Sequence, residues 1–369
     1  MRTLRYGLSL AACALAVVLA LPAQQTPSQQ RTPQQQQTPP PKSQPPVQDA
    51  IPPQQSPASQ QQQQQPQLPP IRITTGLVHL VAAVMDRRHN FVTDLDQKDF
   101  RVLEDGHPQD IRFFGRETDL PLRIGMLLDT SNSIRERLHF EKDAAIDFLG
   151  NFIRRHKDMA FLMTFDNEPE VIQDYSGDAG VLTEAIQKQR AGGGTALNDA
   201  IYKAAQKLAE APLPAGGNPE LRRILVVISD GEDNLSDRAL SEAIEMAQRS
   251  EVSIYSISTS TEWVDVTNAD RQKKLFKTPG DQVLENFALE TGGRVFYPYK
   301  VDDLAESFQD IGTELRSQYF IAYSPSNPLQ GGAFRKIQVE VVDRKGLVVR
   351  TRKGYYANAM PGTPTPPSK

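Results

Sequence analysis

Ile124-Gly125-Met126-Leu127-Leu128 runs without a polar interruption into Asp129-Thr130-Ser131-Asn132-Ser133. Five apolar residues followed directly by hydroxyls and a carboxylate read as a strand buried on both faces whose far end is polar. An amphipathic pattern follows, with Ile134, Leu138, Ala145, Phe148, Leu149 and Phe152 on one helical face and Ser133 placed to cap it. The alternation then repeats. Strands are expected at 159–165, near Val171-Ile172 on an edge, and at 224–228, 252–257 and 295–297. Helices are expected at 181–188, 196–208, 239–247 (capped by Ser236), 280–292 (stopped by Gly292-Gly293) and 304–315. Buried strands alternating with amphipathic helices predict an α/β fold, a doubly wound, mostly parallel sheet covered on both faces. Ligands of such sheets bind beyond the carboxyl ends of the strands, where strand order reverses.

Outward from this region the period changes to two. Residues 71–118 read as a β-rich flank: Leu77 to Ala83 form one strand, and Phe100-Arg101-Val102-Leu103 turns at Asp105-Gly106 toward Ile111, Phe113 and Phe114. Residues 318–357 carry three more strands, at 319–323, 337–341 and 347–349. Either flank is too small to bury a two-sheet core alone. Together they predict a small all-β, sandwich-like domain into which residues 120–315 are inserted.

Residues 24–70 hold 19 Gln and 13 Pro in 47 positions, and residues 358–369 are again Pro-rich. Neither segment has the apolar content to offset backbone ordering, so a disordered linker and a disordered tail are expected. Residues 1–23 open with Arg2 and Arg5, continue as an uncharged apolar run from Gly7 to Leu21, and end on small residues at Ala20 and Ala23. That is the pattern of an export signal, too short for a comfortable membrane span. Leu10-Ala11-Ala12-Cys13 would fit a lipoprotein box, but the apolar run continues past it, which disfavours a lipid anchor at Cys13. Cleavage downstream would leave the mature chain without a thiol and without a transmembrane segment, excluding disulfides, thiolate metal sites and cysteine nucleophiles. An exported protein, periplasmic, surface-borne or secreted, is expected.

Between residues 71 and 360, 36 Lys and Arg stand against 44 Asp and Glu, an excess of eight negative charges. That balance disfavours nucleic acid as a partner. No G-x-S-x-G, H-E-x-x-H or Walker-type phosphate loop is present, and an aspartyl phosphatase would want a carboxylate where Ser131 stands. A non-enzymatic protein is expected.

Three polar elements fall on one carboxyl edge of the expected sheet: Asp129-Thr130-Ser131-Asn132-Ser133, the segment Gly192-Gly193-Gly194-Thr195 ahead of a helix, and Ser229-Asp230-Gly231 after the strand at 224–228. Two carboxylates and three hydroxyls form an oxygen-only donor set suited to a hard divalent ion, Mg²⁺ before Mn²⁺ or Ca²⁺. Asp129 read alone could cap a helix, Asp199 reads as an ordinary polar position, and Glu232 and Asp233 read as solvated. Trp263 lies in a long segment, 261–279, between a strand and a helix.

Over about residues 120–315 the chain resembles the von Willebrand factor A-type (vWA) domain family, whose metal-ion-dependent adhesion site has this form. The D-x-S-x-S element is matched by Asp129, Ser131 and Ser133, the separated Thr by Thr195, and the separated Asp by Asp230. The flanking Asp99-Phe100, Glu104-Asp105-Gly106, Tyr323-Ser324-Pro325 and Arg352-Lys353-Gly354-Tyr355 look like the borders of the exported bacterial "VWFA-related" branch. The resemblance implies an adhesion-type module in which a divalent metal binds an Asp or Glu carboxylate of a protein ligand. The competing expectation is a structural or assembly factor of the envelope with a vestigial or stabilising metal site, and a metal-assisted hydrolase stands third.

Overall fold

A computed structural model describes residues 77–116, 120–214, 221–260, 277–298, 301–327 and 332–357. The expected signal segment with Cys13, the Gln/Pro-rich linker, Trp263 and the Pro-rich tail lie outside the described residues.

The strand read first is β5, Leu122–Asp129, and all eight of its residues are buried. Around it lie β6 (Met159–Phe165), β7 (Pro169–Ser176), β8 (Arg222–Ser229), β9 (Val252–Ser258) and β10 (Val295–Phe296), in the order β10-β9-β8-β5-β6-β7. Pairing is parallel except at the β7 edge, which runs antiparallel to β6. Helices α1 (Leu138–Phe152), α2 (Ala179–Gln187) and α6 (Val301–Arg316) cover one face. Helices α3 (Leu197–Ala209), α4 (Leu240–Arg249) and α5 (Pro279–Thr291) cover the other. Strand side chains alternate between two apolar layers, Met126 and Leu128 toward α1 and Leu127 toward α3, as the two-residue period dictates. This is the doubly wound α/β architecture expected from the alternation.

Two helix starts differ from the reading. Ser133 does not cap α1: it lies inside a 3-10 turn, Asn132–Ile134, and Arg137 is the residue before the helix. The hydroxyl is directed to Ser131 instead. Ser236 does not cap α4 either, which begins after Ala239, whose N–H donates to Glu242 Oε2 at 2.8 Å. The Ser236 hydroxyl accepts the Asp199 N–H. A helix cap requires a particular backbone position as well as a suitable side chain, and loop contacts took both serines.

The flanking strands interleave. From the first flank come β1 (Val78–Met85), β2 (Phe100–Glu104), β3 (His107–Gln109) and β4 (Ile111–Gly115). From the second come β11 (Tyr319–Tyr323), β12 (Phe334–Val341), β13 (Val348–Arg350) and β14 (Gly354–Tyr356). They form two four-stranded sheets, β13-β1-β11-β4 and β14-β12-β2-β3, each drawing on both flanks. Leu80, Val84, Phe100, Val102, Tyr319, Ile321, Ile337 and Tyr355 share one core between them. The Asp105-Gly106 turn makes its hairpin, with both residues at positive φ, but the paired arm is β3. The expected arm, Ile111 to Phe114, crosses instead to β11 in the other sheet. The short strand β14 carried no period long enough to read.

Candidate metal centre

Strands β5 and β8 are neighbours, and the chain winds away from them in opposite directions, through β6 and β7 on one side and β9 and β10 on the other. Their carboxyl ends therefore border the crevice at which doubly wound sheets bind ligands. Asp129 ends β5, Ser229 ends β8, and Asp230 follows it.

Asp129 has no exposed surface. Its Oδ1 accepts the Ser131 N–H at 2.8 Å and its Oδ2 accepts the Ser229 hydroxyl at 2.7 Å. The Ser229 oxygen in turn accepts the Gly231 N–H at 3.1 Å, so one hydroxyl locks the two strand ends together. Burial pushes the Asp129 carboxyl up to about 6, and the charge of Asp230 adds to the rise. Ser131 and Ser133 place their hydroxyl oxygens 2.9 Å apart. Ser131 is buried and Ser133 exposed, so this pair spans the rim.

Thr195 is buried, and its carbonyl oxygen accepts the Asn234 and Leu235 N–H groups, both at 3.0 Å. The glycine loop before it is tied to the Asp129 loop by Gly192 N–H to Thr130 O at 2.7 Å and Asn132 N–H to Gly193 O at 3.2 Å. Asn167 accepts the Gly194 N–H and Asn234 accepts the Thr195 N–H, both at 2.9 Å. Asp230 keeps 9% of its surface exposed and accepts the Glu232 N–H at 3.1 Å through Oδ1. The five residues read from the sequence thus meet at one edge: Asp129, Ser131 and Ser133 in a bonded series, Asp230 within electrostatic reach, and Thr195 held by loop contacts.

Asp233 is not simply solvated. Its two oxygens accept the N–H groups of Asn198 at 2.8 Å and Ser236 at 3.1 Å, fastening this loop to the start of α3. Asp199, in the first turn of α3, accepts the N–H groups of Asp237 and Arg238 at 3.1 and 3.2 Å, a second tether between that helix and the same loop.

Two residues escaped the sequence reading. Ser229 was read only as part of Ser229-Asp230-Gly231, with no role assigned to its hydroxyl. Glu141 lies in the apolar stripe of α1 between Leu138 and Ala145, and a charge on that face was a signal left unread. It is fully buried, and burial and then Asp129 raise its carboxyl well above the ordinary range.

Residues 124–232 match the von Willebrand factor type A domain family. The match ends before α4, β9, α5, β10 and α6, which belong to the same α/β unit. No curated protein matches the chain. Solved structures similar to it include a von Willebrand factor type A protein from Catenulispora acidiphila, at 13% identity and a TM-score of 0.42, covering 76% of this chain and 72% of that one. An aerotolerance-related membrane protein from Bacteroides fragilis is 19% identical, with a TM-score of 0.40, over 53% of this chain and 98% of that one. Proximal thread matrix protein 1 from the mussel byssus, with a zinc-occupied MIDAS motif, is 18% identical with a TM-score of 0.42, over 58% of this chain and half of its own.

The donor set at the β5–β8 crevice fits a divalent cation. All five candidate ligands offer oxygen, two carry charge, and the Ser131 and Ser133 hydroxyls lie close enough to turn toward a common ion. No group of three or more His, Cys, Asp or Glu is placed to hold a metal among the described residues, so a cation here would need the hydroxyls as well as the carboxylates. No helix among the described residues is long and apolar enough to cross a membrane.

Proposed function

We propose that this chain is an exported, non-enzymatic binding protein whose vWA unit holds Mg²⁺, or Mn²⁺ or Ca²⁺, through Asp129, Ser131, Ser133, Thr195 and Asp230 and so captures a carboxylate of a protein partner. The observation that carries the reading is the bonded series Ser229–Asp129–Ser131–Ser133 at the crevice between β5 and β8. When bound, a divalent ion would supply a Lewis-acidic position for an anionic oxygen. Asp129 and Asp230 formally match its charge, and the neutral hydroxyls of Ser131, Ser133 and Thr195 add none, so an Asp or Glu of a partner is the donor that gains most. The acidic surface repels anions at long range and restricts the gain to a well-fitted carboxylate.

A second reading, a structural or assembly factor of the envelope with a vestigial or stabilising metal site, is favoured by one observation. Asp129 already has both oxygens bonded within the chain. Calorimetry and affinity capture separate the two. Mg²⁺ should stabilise the purified chain by roughly 2.7 kcal/mol at a hundred times its dissociation constant, and Asp129→Ala or Asp230→Ala should abolish the shift. Equal unfolding in excess Mg²⁺ and in EDTA would remove the metal from the proposal. Capture from envelope extracts should fail in EDTA and in the Ser131→Ala plus Ser133→Ala variant. Recovery of the same proteins by that variant would hand the case to the structural reading.

A further inference from the structure

We propose that Glu141 is a positioning residue of the metal centre, a third carboxylate that serves the ion from the buried side of the site. The inference rests on the cation reading above. Neither Oε atom of Glu141 completes a hydrogen bond of good geometry, and the Thr259 hydroxyl, just past the end of β9, faces them without completing one either. Both residues are fully buried. A buried carboxyl with no partner is far costlier than an apolar side chain of the same size, and the neighbours in the α1 stripe, Leu138, Ala144, Ala145 and Phe148, are apolar.

Protein charge does not account for this residue. Asp129 and Asp230, the candidate ligands, both act on the Glu141 carboxyl and disfavour its charge; the main positive influence is Arg137, one turn earlier. The Thr259 N–H donates to the Ser229 carbonyl oxygen at 3.0 Å and the Ser229 hydroxyl donates to Asp129, so Glu141 and Thr259 lie behind the Asp129 end of the site. A divalent cation held by Asp129 and Asp230 reverses that balance, turning the surrounding potential from one that opposes a Glu141 carboxylate to one that favours it. Thr259 gains a role as well, since its hydroxyl can donate to the carboxylate once that is charged. Glu141 would act on the ion through charge, and removing an outer partner of a metal site typically weakens metal affinity 10- to 100-fold.

The test is a Mn²⁺ titration of the full chain, read by calorimetry and by the electron paramagnetic resonance signal of free Mn²⁺. Glu141→Gln should weaken binding by roughly tenfold or more, while unfolding in EDTA stays at or above the wild-type temperature. Thr259→Val keeps the carboxylate and the side-chain shape, and should weaken binding in the same direction by less. It reads the same coupling if the Glu141 variant does not fold. A role confined to packing would shift unfolding in EDTA and leave the Mn²⁺ dissociation constant unchanged in both variants, which would overturn this proposal and leave the cation reading standing. Wild-type protein that binds no Mn²⁺ would overturn both.

Discussion

Asp129 illustrates how one side chain carries both stability and a candidate function. Its carboxyl sits near 6 in the folded chain, against an ordinary value near 4, because burial disfavours the charge more than its hydrogen bonds favour it. The folded value lies above the unfolded one, so Asp129's contribution to stability is fully present below about pH 4 and is lost as pH rises through about 6. The span corresponds to about 3 kcal/mol. In EDTA, Asp129→Asn should therefore unfold at a progressively higher temperature than wild type as pH goes from 4 to 7, since the amide cannot ionise. A constant difference across that range, measured by scanning calorimetry, would show that the Asp129 charge is not suppressed in the folded state. Mg²⁺ should oppose the loss in wild type only, because a ligand must be deprotonated to bind.

At the scale of elements, the position of Asp230 depends on two backbones approaching without side chains between them. Gly231 has a φ of +80°, and a Cβ on it would lie 2.2 Å from the Gly280 carbonyl oxygen. A Cβ on Gly280, in the first turn of α5, would lie 2.2 Å from the Asp230 carbonyl oxygen. Since both obstacles are backbone, neither can rotate away. Gly280→Ala should push the β8 end off α5, with a cost of about 1–3 kcal/mol or more, and should weaken Mg²⁺ binding although residue 280 is no candidate ligand. Chemical denaturation and metal titration measure the two effects. An alanine that costs under about 0.5 kcal/mol, the range of an ordinary surface change, would mean that the helix start yields and does not hold Asp230.

At the scale of the whole folded unit, the β sheets join the α/β unit at the edge opposite the candidate site. The contacts cluster at the ends of α4, α5 and α6: Arg350 pairs with Glu314, the Lys353 N–H donates to the Glu290 carbonyl oxygen at 3.3 Å, and Arg249 stacks on Tyr356 with 4.0 Å between the guanidinium and the ring. Inside the β part, Glu104 is buried and accepts from Arg335 at 2.7 Å, Tyr323 at 2.7 Å and Tyr355 at 2.9 Å. All three donors come from the second flank. A chain ending at Ser317 strips β1 and β4 of β11, β2 of β12, and Glu104 of every one of these partners. Limited proteolysis with mass spectrometry should then cut residues 78–115 readily, while the six-stranded sheet resists at a lowered melting temperature. Protection of 78–115 in that truncation would show the first flank to fold alone.

The alternation of long apolar runs with helical stripes was legible in the amino-acid order, because burial on both faces demands a continuous apolar strand such as Ile124 to Leu128, and few other structures tolerate one. Placement of Asp129, Thr195 and Asp230 on a common edge followed from the same pattern, since every parallel strand ends on the same side of its sheet. Local order could not determine which arm Asp105-Gly106 would pair, because β3 and β4 are both short and the choice between them was made by β11 and β2, more than two hundred residues apart in the chain. Nor could it assign Ser133, Ser236 and Asp233, whose hydrogen-bonding capacity is satisfied equally well by a helix end or by a loop brought near in space. Glu141 is the plainest case. Along the chain it is one charged residue in a helix, and only the convergence of α1, β5, β8 and β9 surrounds it with Asp129, Asp230 and Thr259, because electrostatic meaning depends on distance in three dimensions and not on separation in sequence.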